Sequence, residues 1–166
     1  MDLETRLRAI EDHLAILNLI ASHPLTADSA ASDTIGAIYA DDGVIDLGPD
    51  KTARGNAAVA AMVLTEGHQA ALAAGLAHFA SLPHVTIEGE RAVAYSYLQI
   101  LAPHPNAEPI EVPAHGTTRG FRVHRVGANR WELERAGARW KIKRRTFRFL
   151  DGNPEARALV RGALPE

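Results

Sequence analysis

Cysteine is absent from the 166-residue sequence, which excludes disulfides, thiolate metal ligands and cysteine nucleophiles together and leaves the redox compartment open. No basic segment followed by an apolar run opens the chain: Met1-Asp2-Leu3-Glu4 is acidic, so neither a signal nor a transit peptide is expected and the cytoplasm is the default location. Charge of one sign is also missing. The formal net charge is -2, which gives no ground for the counterion-release binding that nucleic acids reward. The histidines and carboxylates never fall in H-E-x-x-H spacing, and His115 and His124 are too far apart for a helical ligand pair, so no metal or other cofactor is expected. G-x-G-x-x-G, P-loop and G-x-S-x-G patterns do not occur, which removes the common nucleotide and serine-hydrolase readings.

What is present is ordinary for a globular chain. The hydrophobic fraction is 46% and the charged fraction 23%, values that suggest neither disorder nor a membrane protein. The length suits one domain over residues 1–166. Leu3, Leu7, Ile10, Leu14 and Leu17 recur at alternating steps of four and three, which predicts an amphipathic helix over about 2–22. His23-Pro24 is expected to end it, because a proline blocks continuation and restricts the residue before it. Ser32 or Asp33 can cap a short helix through Tyr39. Asp41-Asp42-Gly43 then reads as a turn into a strand over Val44–Leu47. The alanine-rich stretch from Asn56 to about Ala74 predicts a third helix.

From His78 onward the pattern turns to β. Val85–Ile87 and Ala92–Leu101 form a hairpin around Glu88-Gly89-Glu90. Four prolines make 103–116 a surface loop able to cover a pocket. Phe121–Arg135 and Arg139–Leu150 follow as two long strands around Ala136-Gly137-Ala138, and Asn153-Pro154 starts a short last helix. Helices first and a mainly antiparallel sheet after them is the α+β arrangement. In the basic run Arg139, Lys141, Lys143, Arg145, the alternation with Trp140, Ile142 and Arg144 reads as a strand with one solvated face.

The ordered series Ala27-Asp28, Tyr39-Ala40-Asp41-Asp42-Gly43, His78-Phe79 and Arg139-Trp140-Lys141-Ile142 with Arg144-Arg145 resembles the SnoaL-like, nuclear transport factor 2-like superfamily over about residues 5–150. Asp28 and His78 are similar in placement to the catalytic Asp and His of its scytalone dehydratase and hexachlorocyclohexane dehydrochlorinase members. The resemblance implies a cone-shaped fold in which three helices close a curved sheet around a deep, mostly apolar pocket. It also implies a small hydrophobic or cyclic substrate and a homodimer or homotrimer. Two departures accompany it: Ala27 before Asp28, and Leu47 after Asp46, where the dehydratase has tyrosines. His104 falls where the dehydratase has a second pocket histidine, Asn129 falls on a pocket asparagine, and Arg135 on a pocket arginine of the dehydrochlorinase.

Each candidate also has a plain structural reading. Asp28 can be an N-terminal cap or an exposed loop carboxylate, and His78 a buried histidine satisfied by a backbone carbonyl. His104 can be a solvated loop residue. Asn129 and Arg135 share strand parity with Trp131 and Leu133, so they face either the concave side or an edge or subunit contact. Chemically, a carboxylate on one imidazole nitrogen fixes the tautomer and leaves the other nitrogen as a base. The expectation is a cofactor-independent lyase or isomerase in which Asp28 orients and His78 takes a proton, with a noncatalytic ligand-binding or structural-subunit protein as the alternative.

Overall fold

The computed structural model describes residues 2–165. Its order is α1 (Leu3–Asp28), α2 (Ser32–Ile38), β1 (Tyr39–Asp46), β2 (Thr52–Arg54), α3 (Asn56–Met62), α4 (Glu66–Ala73), β3 (Ala77–Ala80), β4 (His84–Glu88), β5 (Arg91–Pro103), β6 (Ile110–Val112), β7 (Gly116–Thr118), β8 (Phe121–Ala136), β9 (Arg139–Phe149) and α5 (Pro154–Arg161). The fold is α+β, with a curved, mixed and mostly antiparallel sheet that does not close on itself. The strand order is β2-β1-β9-β8-β5-β3, and β4 pairs the other half of β5. Only the β1–β9 pairing in this sheet is parallel.

The concave face is built by the two-residue alternation of strands. Ala92, Ala94, Ser96 and Leu98 of β5 lie beside Asn129, Trp131 and Leu133 of β8 and Trp140 and Ile142 of β9, all buried. Ile16, Ile20 and Ala27 of α1, with Ile35 and Val59, cover this face and complete the core. Small residues on β5 leave room for the indole of Trp131, which is 1% exposed. Its N–H donates to Ser96 Oγ at 3.0 Å, so the buried ring has its polar tip satisfied.

Several boundaries differ from the sequence expectation. Helix α1 does not stop at His23-Pro24 but runs through Pro24 to Asp28. An interior proline removes one backbone bond at a cost of about 3 kcal/mol. Here both His23 and Pro24 are buried, and that packing offsets the loss. The helix expected over 56–74 is two helices, because the Thr65 side chain accepts the His68 backbone N–H and starts a new one. Asp41-Asp42-Gly43 forms no turn; β1 already starts at Tyr39, and its pairing with β9 shifts register between Tyr39 and Val44. The stretch 103–116 holds the last residue of β5 and most of a separate β6–β7 hairpin. Both hairpin strands are exposed.

The stripe Leu3, Leu7, Ile10, Leu14 does not face the core. These residues are 79, 52, 57 and 53% exposed. Asp12, on the opposite side of α1, is the residue that meets the sheet, through Arg135 and Trp140 Nε1.

Candidate active site

A cavity of about 140 Å³ lies between the C-terminal half of α1 and the concave face of the sheet. Its apolar wall comes from Pro24, Ala27, Ile35, Ile45, Leu47, Met62, Val63 and Leu98, and its polar groups are His23, His68, His78 and Arg145. A larger open groove of about 450 Å³ lies beneath α5, lined by Tyr95, Tyr97 and Arg157 among others. It holds no acid–base pair. The smaller cavity is the candidate site because polar groups from α1, α4, β3 and β9 converge there.

The continuation of α1 past Pro24 makes Asp28 its last residue. A carboxylate there meets the negative end of the helix dipole and needs donors. His78 supplies two. Its backbone N–H donates to Asp28 Oδ2 at 2.8 Å, and its ring Nδ1 donates to Oδ1 at 2.5 Å. The carboxylate accepts, so the hydrogen belongs on Nδ1 and Nε2 carries the lone pair. Strand β3 fixes the position of His78 by pairing it with Ile100. The side chains of His78 and Asp28 are 16% and 28% exposed.

Arg145 reaches the cavity because of a bulge. In the β8–β9 ladder Glu132 pairs with Arg144 and Leu133 with Ile142, which leaves Lys143 as the extra residue. That insertion reverses the strand's parity, so Arg145 turns inward and is 7% exposed. The solvated face expected for the whole basic run therefore ends at the bulge.

A chain of hydrogen bonds holds this guanidinium. Arg145 Nε donates to Asn129 Oδ1 at 2.8 Å, and Nη1 donates to His23 Nε2 at 2.8 Å. Arginine has no acceptor, so His23 Nε2 must be unprotonated; its Nδ1 then donates to Tyr39 Oη at 3.4 Å. Burial, then the charge of Arg145, then His78 push the His23 pKa well below its ordinary value. Burial also lowers that of Arg145, offset in part by Tyr39. Among the described residues no carboxylate pairs with Arg145, so the cavity holds a buried cation whose partners are neutral.

His68, from α4, sits beside His78 with ring centroids 6.4 Å apart and planes 21° from parallel. Its Nε2 donates to Ala27 O at 2.8 Å, because a carbonyl only accepts. Nδ1 is then an acceptor in the neutral ring.

The structure thus brings Asp28 and His78 together. Asn129 is completely buried behind Arg145, which it orients from outside the cavity lining. Arg135 lies at the far rim, where it binds Asp12 and, at 2.9 Å, Glu90. His104 is exposed just beyond β5, its backbone N–H donating to Gly120 O. Neither Arg135 nor His104 lines the cavity. Sequence reasoning passed over His23, His68 and Arg145. The apolar neighbours and proline beside His23 were the available signal for a buried histidine.

Among the described residues, no group of three or more His, Asp, Glu or Cys side chains is arranged to hold a metal ion. No helix of the described residues is long and apolar enough to cross a membrane.

Residues 8–146 match the family model of the SnoaL-like domain. Among proteins of curated function, none matches this chain. An NTF2-like protein with a cystatin-like fold from Novosphingobium aromaticivorans is 35% identical, with 95% of this chain and 94% of that chain covered and a TM-score of 0.85. A scytalone dehydratase-like protein from the same organism is 18% identical over 89% of this chain and 88% of that one, with a TM-score of 0.62. The hexachlorocyclohexane dehydrochlorinase LinA-type3 of Novosphingobium barchaimii is 13% identical over 87% and 90%, with a TM-score of 0.68. The last two share the fold. With the family model spanning most of its length, this chain belongs to the SnoaL-like domain family.

Proposed function

We propose that the chain is a cofactor-independent lyase or isomerase that takes a proton from carbon in a small cyclic substrate. His78 Nε2 is the base. Asp28 keeps the hydrogen on Nδ1 and stabilises the imidazolium that forms. The electron pair left by the proton forms a carbon–carbon double bond, and a leaving group departs with its own bonding pair. If that group is hydroxide, the proton on His78 Nε2 returns to it and water leaves. If the carbon lies beside a carbonyl, the charge moves to the carbonyl oxygen instead, and returning the proton to a different carbon completes an isomerisation. Arg145 offers a buried cation to whichever atom gains negative charge, in surroundings where such an interaction is stronger than in water.

The volume limits the substrate. An apolar cavity of about 150 Å³ accommodates benzene, so the site suits a single ring with one polar substituent. The observation that carries this reading is the two-point hold of Asp28 on His78 at the edge of a cavity that also contains Arg145.

Binding without turnover is the second reading, favoured by the apolar wall together with a guanidinium that lacks an acidic partner. It fits a small ring carrying a carboxylate or phenolate. A screen of monocyclic hydroxylated, halogenated and enone compounds and ring acids, for thermal stabilisation and for elimination or isomerisation products, separates the two. Product that forms with the wild type and not with His78→Gln supports catalysis. Stabilisation by ring acids with no product from any compound supports binding alone.

A further inference from the structure

Helix α1 has two apolar faces. Ile16, Ile20, His23 and Ala27 are buried in the domain. At about 100° per residue, Leu3, Leu7, Ile10 and Leu14 lie on the side opposite Asp12 and are each more than half exposed, while Leu17 lies at the edge of that face and is partly buried. Leu25, 70% exposed, continues the outward side towards the helix end. Every residue from 2 to 11 is exposed, so among the described residues the first turns bury no side chain. A free helix of that length is marginal in water. At this end Asp2 caps the helix, its side chain accepting the Thr5 N–H at 2.8 Å.

The outward stripe repeats in steps of four and three, the a/d spacing of a coiled coil, with Leu7 and Leu14 at a and Leu3, Ile10 and Leu17 at d. The flanking positions are sorted by charge. Glu4, Glu11 and Asn18 occupy the e side, and Arg6 and His13 the g side. In a parallel pair, a g residue meets the e residue five positions on in the other helix, so Arg6 faces Glu11 of the second copy and the reverse. An antiparallel pair brings e against e and g against g, which sets glutamate against glutamate on one flank and basic side chains or His13 against one another on the other. Such flanking charges set partner and orientation. The remaining face, with Asp12 and Leu19, already holds the domain and would point outward from the pair.

We propose that the outward face of α1 is the seam of a parallel pair formed with a second copy of this chain. Light scattering after gel filtration at micromolar concentration then gives twice the chain mass. Leu7→Glu combined with Leu14→Glu gives the single-chain mass, with the β-sheet circular dichroism kept, since both residues are exposed in the isolated chain. Arg6→Glu alone and Glu11→Arg alone each weaken the pair at least tenfold, and combining them restores it. A cysteine in place of Leu3 cross-links to its own copy on mild oxidation, in a chain that has no other thiol. Hydrogen exchange over residues 3–11 is slow in the wild type and fast in the Leu7→Glu, Leu14→Glu variant. A monomeric wild type, or a dimer whose mass the leucine pair does not change, overturns the proposal. A dimer that the charge exchange fails to restore, or that Leu3→Cys does not cross-link, overturns the parallel seam.

Discussion

Two carboxylates fasten α1 to the sheet, and their surroundings could hardly differ more. Asp12 accepts from Arg135 and from Trp140 Nε1, donors that keep their protons at any physiological pH. Desolvation, the largest influence on Asp12, raises its pKa, but the hydrogen bonds of Arg135 and Trp140 and nearby positive charge together hold it below the usual carboxylate range. Asp28 accepts from a backbone N–H and an imidazole, and the imidazole can take up and release a proton. Both contacts tie the same helix to the sheet. Among the described residues, only the second borders the cavity that His23, His68, His78 and Arg145 line. A partly buried carboxylate with two donors is therefore no sign of catalysis by itself; the role proposed for Asp28 rests on its proton-carrying partner and on the cavity beside that partner.

The sharpest break in the comparison comes from the partners. Replacing His78 by Gln is expected to lower turnover by a hundredfold or more, the usual contribution of a general base, with little change in urea midpoint. Asp28→Asn should lose a large part of the same rate, since the amide can hold the wrong tautomer. Steady-state assays on any substrate from the screen read both. Arg145→Met should reduce turnover about a hundredfold, as loss of an oxyanion-stabilising donor does, yet change stability by no more than about 1–3 kcal/mol, because relief from burying a cation without a carboxylate opposes the loss of the donor to Asn129 Oδ1 and His23 Nε2. Thermal unfolding measured beside the assay detects that split. At the rim the pattern inverts. Arg135→Gln leaves the Asp12 carboxylate without its cation, with Trp140 Nε1 as its remaining donor, and is expected to cost about 1–3 kcal/mol in urea unfolding while turnover stays within about twofold.

The smallest effect is a pH dependence. His23 is held neutral in the fold, its pKa well below the ordinary value of about 6.5. As pH falls below that value the unfolded chain takes up a proton that the fold refuses, so stability present at neutral pH declines. Melting temperatures measured from pH 8 to pH 5 should fall on the acid side. His23→Gln, whatever its melting temperature at pH 8, should fall less.

Periodicity made the strands β5, β8 and β9 and the start of α1 legible, because alternation and a three-to-four step are local signals. The end of α1 was hidden. Proline is a strong stop in isolation, and only the burial of His23 and Pro24 shows why the helix continues. The bulge at Lys143 was equally invisible: a strict alternation from Arg139 sends Arg145 outward, and one extra residue reverses it. For this reason the cavity's cation lay within the basic run without being recognised. The leucine stripe is a third case, since a spacing that signals an amphipathic face does not say whether the face covers its own core or awaits another surface. Asp28 and His78 became candidates through the order of the family series, not through any local pattern. Their contact depends on α1 running as far as Asp28, which the sequence did not suggest.

The most direct measurement is the exchange of carbon-bound hydrogen for deuterium from solvent, followed by NMR on a cyclic ketone or enone from the screen that binds the wild type. Wild-type protein is predicted to wash deuterium into the carbon beside the carbonyl, and His78→Gln, folded and binding the same compound, to do so at least a hundredfold more slowly. Equal exchange by the two proteins would contradict the assignment of His78 as the base.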